Sequence, residues 1–391
     1  MKPMMRLTLG FEGEVDQIAV ERAIAEFRAA RPVLIENGTQ AALAVAVEGL
    51  GPDLCASLDP VAGGRARLVL PAARLRRMGL DRSGPGTLAL PSLDAGRIEM
   101  LALKADGRVD APVRGSAPVD ADALELARLA LVLPAALVIP VLDGIIVDPA
   151  ILRVASAAIR GYRQVRVRNL GIVGRAPVPL EGAPGTEFVV FRGGEGLRDQ
   201  VAILVGRPDL SQPVAVRLHS ACLTGDLFGS LKCDCGDQLR RTVAWMGQNG
   251  GGVLLYLDQE GRGNGIANKI RAYKLQSRGY DTYEADEALG FELDGRRFDF
   301  AAEMLRQLGV TRVRVLTNNP EKAAALRRAG LDVVSEHRIA GRSTPENVRY
   351  LAAKRDRAGH AIDFEAPVAR APDRDQEPPP AAGAQSAPAA L

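Results

Sequence analysis

The chain has 391 residues, 47% hydrophobic and 25% charged, and its 50 Lys+Arg against 47 Asp+Glu leave a formal net charge of +3. This composition is ordinary for a folded protein and excludes collagen-like, coiled-coil and disulfide-scaffold classes. The near-neutral balance argues against a general nucleic-acid or membrane-surface binder, and the length suggests two or three domains.

Residues Met1 to Asp16 hold no apolar signal core. The longest uncharged apolar stretch, Leu129 to Leu142, contains Pro134 and Pro140 and falls short of the roughly 20 residues a bilayer span requires. A cytoplasmic protein with no membrane partner is expected. Helical periodicity runs from Val20 to Ala30, and Arg31 to Ile35 reads as a strand. A turn at Asn37-Gly38 precedes a second apolar strand, Ala41 to Val47. Asp120 to Leu133 reads as an amphipathic helix stopped at Pro134, with a buried strand from Ala136 to Ile139. A basic run, Arg160 to Arg168, then leads into a Gly/Pro-rich region, and a domain junction is placed near residue 163.

Beyond it, strands are expected at Glu187–Arg192, Val201–Val205, Val214–Leu218, Gly252–Leu257 and Val313–Leu316, and helices at Asp237–Gln248, Asn268–Arg278 and Phe298–Leu308. Thr317-Asn-Asn319 supplies capping side chains, and Pro320 occupies the first position of a helix to Ala329. The 26 residues from Ala366 to Leu391 include nine Ala and six Pro with almost no large apolar residue, so a disordered tail is expected. The fold class is thus α+β / α/β: two domains, 1–163 and 164–365, each a mixed sheet with packed helices, followed by the tail 366–391.

Four cysteines in so long a chain make no disulfide framework, so spacing matters more than number. Cys222, Cys233 and Cys235 form C-x10-C-x-C in a polar stretch ahead of a helix. Zinc favours thiolates, and three protein ligands plus water is the layout of an open catalytic site. The alternative is three small buried hydrophobes, as Cys55 is expected to be. Glu260-Gly-Arg262-Gly-Asn264-Gly follows an apolar strand; it is either a phosphate-approaching turn or an ordinary one. A helix over 268–278 puts Lys269 and Tyr273 on one face, and the Thr317 to Pro320 junction is either an anion site or plain capping. Histidine occurs only at 219, 337 and 360, which removes His-based metal or acid–base chemistry from residues 1–218.

Together these motifs resemble GTP cyclohydrolase II, the enzyme that opens riboflavin synthesis. The matching text is Arg217-Leu-His-Ser-Ala-Cys222-Leu-Thr-Gly-Asp226, Leu231-Lys-Cys-Asp-Cys-Gly236, Gln259-Glu-Gly-Arg262, Asn268-Lys-Ile-Arg-Ala-Tyr273, Gly279-Tyr-Asp-Thr282 and Leu316-Thr-Asn-Asn-Pro320, in the family's order across roughly 165–362. The resemblance implies Zn²⁺ on Cys222, Cys233 and Cys235, Mg²⁺ accompanying the triphosphate, and a homodimer. It implies GTP contacts at Arg217, Leu218, His219, Ser220, Ala221, Gln238, Glu260, Gly261, Arg262, Thr282, Thr317 and Lys322, with Glu260 reading the guanine edge. Tyr273 would assist at the base. Asp294 and Arg296 match the pair assigned to attack on the α-phosphate; an arginine, with its very high pKa, is better suited to stabilising phosphate charge, with Asp294 orienting it. The chain departs from the family at Ala221, Asp258 and Asn264, none of them a metal ligand or catalytic group. Two other outcomes fit less well: ring opening that stops at a formamidopyrimidine, as in relatives lacking the tyrosine, and a non-catalytic nucleotide-binding regulator.

Residues Ala23 to Ile35 and Ala123 to Ala135 are similar to 3,4-dihydroxy-2-butanone 4-phosphate synthase, which many bifunctional riboflavin enzymes carry ahead of the cyclohydrolase. That chemistry needs an acidic cluster after the strand and a histidine ligand. Here Glu36-Asn-Gly-Thr-Gln-Ala follows the strand and no histidine precedes 219, so a degenerate synthase fold is implied.

Overall fold

The computed structural model describes residues 12–357 except 39, 143, 144, 146, 194–197, 293, 294, 340, 342, 343, 349–351, 353 and 354. The expected tail and Asp294 lie outside the described residues.

Two seven-stranded mixed sheets organise the chain. The first contains β1 (Val33–Asn37), β2 (Gln40–Ala46), β3 (Ala66–Leu70), β4 (Gly86–Leu90), β5 (Val113–Gly115), β6 (Ala136–Val141) and β7 (Leu152–Ala155), in the order β5-β4-β3-β6-β2-β1-β7. All its pairs are antiparallel except β1 with β7. Alternate residues face opposite layers, as a pleated strand requires. Val33 and Ile35 enter a core with Val20, Ala23 and Phe27 of α1 (Glu12–Arg28), Leu126 of α5 (Pro118–Leu129), and Ile159 and Tyr162 of α6 (Ser156–Arg168). Leu34 enters the opposite core with α2 (Pro52–Ala62), α3 (Ala72–Arg77) and α4 (Ala95–Ala102), through Leu58, Leu75 and Ile98.

Helix α1 begins at Glu12, eight residues ahead of its apolar stripe; Glu14, Val15 and Asp16 are exposed and need no apolar period. Helix α5 ends at Leu129 rather than Leu133: Leu131 adopts φ +57°, which breaks the helix before Pro134 is reached. Residue 163 falls inside α6, which carries the chain from the first sheet to the second.

The second sheet runs β14-β13-β11-β12-β10-β9-β8. Its strands are β8 (Gly171–Pro177), β9 (Thr186–Arg192), β10 (Asp199–Val205), β11 (Val214–Ser220), β12 (Gly252–Leu257), β13 (Arg312–Leu316) and β14 (Asp332–His337). Strands β12, β11, β13 and β14 are parallel neighbours, whereas β8, β9, β10 and β12 are joined antiparallel. One face packs on α11 (Asp299–Gln307) and α12 (Pro320–Arg328) through Phe300, Met304 and Leu326. The other packs on α8 (Cys235–Gln248) through Val243 and Met246. Short helices α7 (Leu223–Asp226), α9 (Ile266–Gln276) and α10 (Thr282–Ala288) complete the described elements used below. Among the described residues no helix is long and apolar enough to cross a membrane.

Candidate active site

Ligand crevices in such sheets form outside the carboxyl ends of parallel strands, and β11, β12 and β13 end side by side. β11 delivers Ser220, Ala221 and Cys222; β12 delivers Gln259 and Glu260; β13 delivers Thr317. One cleft of about 1100 Å³, solvent at its mouth included, is lined by all three ends. It gathers Arg217, His219, Ser220, Ala221, Gln238, Glu260, Gly261, Arg262, Tyr273, Thr282, Arg296, Thr317 and Lys322 around the three cysteines. The Leu218 side chain instead enters the core, 1% exposed, while its carbonyl accepts from Lys322 Nζ at 2.6 Å.

The Sγ atoms of Cys222, Cys233 and Cys235 all lie within 4.8 Å of one another, and Cys222 and Cys233 are 3.6 Å apart. A tetrahedral ion with Zn–S of about 2.3 Å would separate its sulfurs by about 3.8 Å, so the donor set fits zinc. Gly225 makes the cradle possible: a Cβ there would stand 2.5 Å from Cys233 Sγ and 3.0 Å from Cys222 Sγ. Hydrogen bonds from the Cys233 and Cys235 thiols, aided by the Lys269 ammonium 3.1 Å away, hold the Cys222 thiol far below its ordinary value. The hydrogen bond to Cys222 pushes the Cys233 thiol up. A divalent cation would replace those protons and take all three sulfurs as thiolates.

Around this centre the polar groups interlock. Glu260 Oε2 accepts from the Leu223 amide at 2.6 Å, and its Oε1 accepts from Lys269 Nζ at 2.7 Å and the Gly261 amide at 3.0 Å. Asp226 accepts from His219 Nε2, the Cys222 amide and the Tyr256 hydroxyl at 2.9–3.0 Å. Tyr273 Oη is 3.3 Å from Thr224 Oγ1, and burial raises its pKa. Arg262 pairs with Asp286 at 3.0 Å and lies over the Tyr283 ring. Arg217, lowered to about 10 by burial, donates to Gln238 Oε1 at 2.7 Å. Its Nε and the Ser220 hydroxyl are buried without a hydrogen-bond partner. Orphaned donors on a cleft wall are what a polar ligand satisfies.

Sequence reasoning placed Lys269 on one helical face with Tyr273, without assigning it a role, and missed Asp286 and Asp226 as contributors. Asp286 carries no local signal, because only folding brings α10 against the Gly-rich turn. Of the three departures, Ala221 lines the cleft beside Cys222, the Asn264 carbonyl accepts from Asn268 Nδ2, and Asp258 meets Arg198 through its carbonyl and through its carboxylate at 3.7 Å.

The family model for GTP cyclohydrolase II matches residues 172–338. A GTP cyclohydrolase-2 of Xylella fastidiosa (strain Temecula1 / ATCC 700964) is 45% identical over 376 residues, covering 94% of this chain and 92% of that one. Another from Azospirillum brasilense is 43% identical over 361 residues, covering 88% and 93%. A solved two-domain 3,4-dihydroxy-2-butanone 4-phosphate synthase from A. baumannii is 18% identical with a TM-score of 0.30, covering 82% of this chain and 99% of that one. Identity at this level, sustained through both sheets and the thiol-bearing cleft, means that the chain belongs to the GTP cyclohydrolase II family.

Proposed function

We propose that the chain hydrolyses GTP to 2,5-diamino-6-ribosylamino-4(3H)-pyrimidinone 5′-phosphate, formate and pyrophosphate, the first step of riboflavin biosynthesis. The observation that carries this reading is the convergence of three thiols, a buried phenol and several cations in one cleft. Cys222, Cys233 and Cys235 would hold zinc, which when bound supplies a Lewis acid able to make water nucleophilic near neutral pH.

The remaining roles belong to the chain itself. Tyr273 keeps its proton at neutral pH, because burial disfavours the phenolate, and it can pass that proton to a nitrogen of the opening ring. Glu260 has lone pairs beyond those used by Leu223, Lys269 and Gly261 and would accept from the guanine N1–H and amino group. Arg217 Nε and the Ser220 hydroxyl would find their missing partners on the nucleotide. Arg262 would exchange the Asp286 carboxylate for a phosphate, one anion for another. Lys322 and Arg296 add charge on the same wall. Magnesium would travel with the triphosphate, carried by phosphate oxygens and water. Asp294, taken from the resemblance, would orient Arg296.

A homodimer belongs to the same reading: Leu227, Phe228 and Leu231, next to the thiol loop, are 70%, 73% and 50% exposed, a patch that a second copy would cover. The first sheet is read as a degenerate synthase fold, its Glu36 paired with Arg153 at 2.9 Å.

The test is a zinc- and magnesium-supplemented assay with GTP that follows formate and pyrophosphate together, with Cys233→Ser as control. Equal amounts of both products, lost in the control, support the proposal. Pyrophosphate without formate points to the formamidopyrimidine alternative. Neither product from folded, zinc-replete protein points to the regulator.

A further inference from the structure

Helices α9 and α10 each have two working faces. Lys269, Tyr273 and Gln276 of α9, with Thr282 and Asp286 of α10, line the cleft. The opposite faces, Leu275 with Ala285, Ala288 and Leu289, are buried together with Leu133, which belongs to the first sheet's half of the chain, and Ala272 lies at the border between cleft and core. Helices of 11 and 7 residues are too short to hold their own position in water, so packing must fix them.

The polar contacts across this boundary are specific. Arg74 of α3, 1% exposed, donates to the carbonyl of Ala288, the last residue of α10, at 2.6 Å. Its other donors go to the carbonyls of Leu101, Met100 and Lys104. A guanidinium on terminal carbonyls suits the negative end of a helix. Glu48 joins the two sides: Oε1 accepts from Arg271 of α9 at 2.9 Å, and Oε2 accepts from the Leu133 amide at 2.9 Å.

Leu131 is the third contact. Its carbonyl accepts from Asn268 Nδ2 at 3.2 Å, and its side chain abuts Gly265, where a Cβ would come within 3.1 Å of Leu131 Cβ. A leucine at φ +57° is a strained backbone that persists only where its surroundings over-determine it. At the far end of α10, a Cβ on Gly290 would come within 3.0 Å of Pro71 Cγ. The N-terminus of α9 and the C-terminus of α10 thus both abut first-half residues.

We propose that the first-sheet domain clamps α9 and α10, with Arg74, Leu131 and Glu48 as positioning residues that fix Tyr273 relative to the thiols. This rests on the GTP hydrolysis proposed above. It gives the N-terminal half a task in the reaction that needs no catalytic group of its own. A misplacement of about 1 Å at a reacting group can cost about a hundredfold in rate, so loosening the clamp should act on turnover.

The experiment uses the full chain with Leu131→Gly, Glu48→Ala and, as the conservative partner, Glu48→Gln. Glycine tolerates the left-handed backbone at 131, so that variant removes the side-chain contact with Gly265 and relieves strain while keeping the carbonyl that accepts from Asn268. Formate kinetics, zinc content, melting temperature and amide exchange are read together. The expected result is faster exchange in 266–276 and 282–288 with β9–β12 still protected, and a kcat lowered about tenfold or more at unchanged zinc content. Melting temperature should stay within a few degrees, with Glu48→Gln recovering only part of the loss, because its one acceptor oxygen can serve Arg271 or the Leu133 amide but not both. Loosened helices with unchanged kcat, or unchanged exchange in both variants, overturn the clamp. Absence of formate from the wild-type chain would defeat the functional reading instead, and exchange would still decide whether the first domain holds the helices.

Discussion

The His219 imidazole is held between two charges of opposite sign: Nε2 lies 3.0 Å from both Asp226 carboxylate oxygens, and Nδ1 faces the Arg217 guanidinium at 3.5 Å. A guanidinium has only donors, so Nδ1 must accept; the ring is neutral, with its proton on Nε2 directed at the carboxylate. Burial is the main cause of the depressed pKa, outweighing the hydrogen bond to Asp226, which acts the other way.

This sets a pH dependence with a definite sign. A folded-state pKa below the ordinary 6.5 means that the unfolded chain binds the proton more readily. The stability contributed by neutral His219 is therefore complete above about pH 6.5 and is lost as pH falls through the folded value. The slope from one proton is about 1.4 kcal/mol per pH unit. His219→Gln keeps a donor and an acceptor but does not titrate, so urea midpoints between pH 7.5 and 5.5 should fall less steeply in the variant. An unchanged slope sinks the assignment.

Gly225→Ala is expected to disable the metal centre without touching a ligand. Two thiols would meet the new methyl well inside contact distance, and neither can retreat without leaving the other two. Zinc per chain, measured after dialysis against submicromolar metal, should drop well below that of the wild type, by at least the tenfold affinity loss seen when a ligand's support is disturbed. Full retention of zinc would show that the loop yields.

Much of this site was legible in the sequence because its signals are local. C-x10-C-x-C, the Gly-rich turn after β12 and the Thr317 to Pro320 cap each declare themselves within a few residues, and Asn319 does cap α12, accepting from the Glu321 amide at 3.0 Å. What was hidden is long-range. Asp286 meets Arg262 only through the docking of α10, and Arg74 reaches Ala288 across 214 residues. Leu131 shows the same limit from the other side: its residue type favours helix, yet tertiary contacts hold it left-handed and end α5 early.

Chelation should destabilise the chain in proportion to the zinc withdrawn. Binding to the folded state alone contributes about 2.7 kcal/mol at a hundred times the dissociation constant. The melting temperature should therefore fall on treatment with chelator and recover with added zinc in a concentration-dependent way. Cys235→Ser should show a smaller response to the same additions. A melting temperature indifferent to verified zinc removal would mean that the three thiols contribute nothing to holding the second domain together.

Tyr273→Phe separates the two hydrolytic outcomes. The phenol's neighbours are Thr224 Oγ1 at 3.3 Å and the cations of Lys232 and Lys269 over its ring, so removing one hydroxyl leaves a phenylalanine that can fill the same space. Loss of a proton donor typically lowers a step by about a hundredfold to ten-thousandfold. If Tyr273 supplies the proton for formate release, formate should fall by that factor, whereas pyrophosphate, whose release is proposed above to rest on the cations of the cleft, should fall much less. The variant would then accumulate a ring-opened formamide, visible by mass as the product retaining the formyl carbon. Parallel loss of both products, with KM for GTP unchanged, would instead place the phenol before the two reactions diverge. Unaltered formate release would remove Tyr273 from the chemistry altogether.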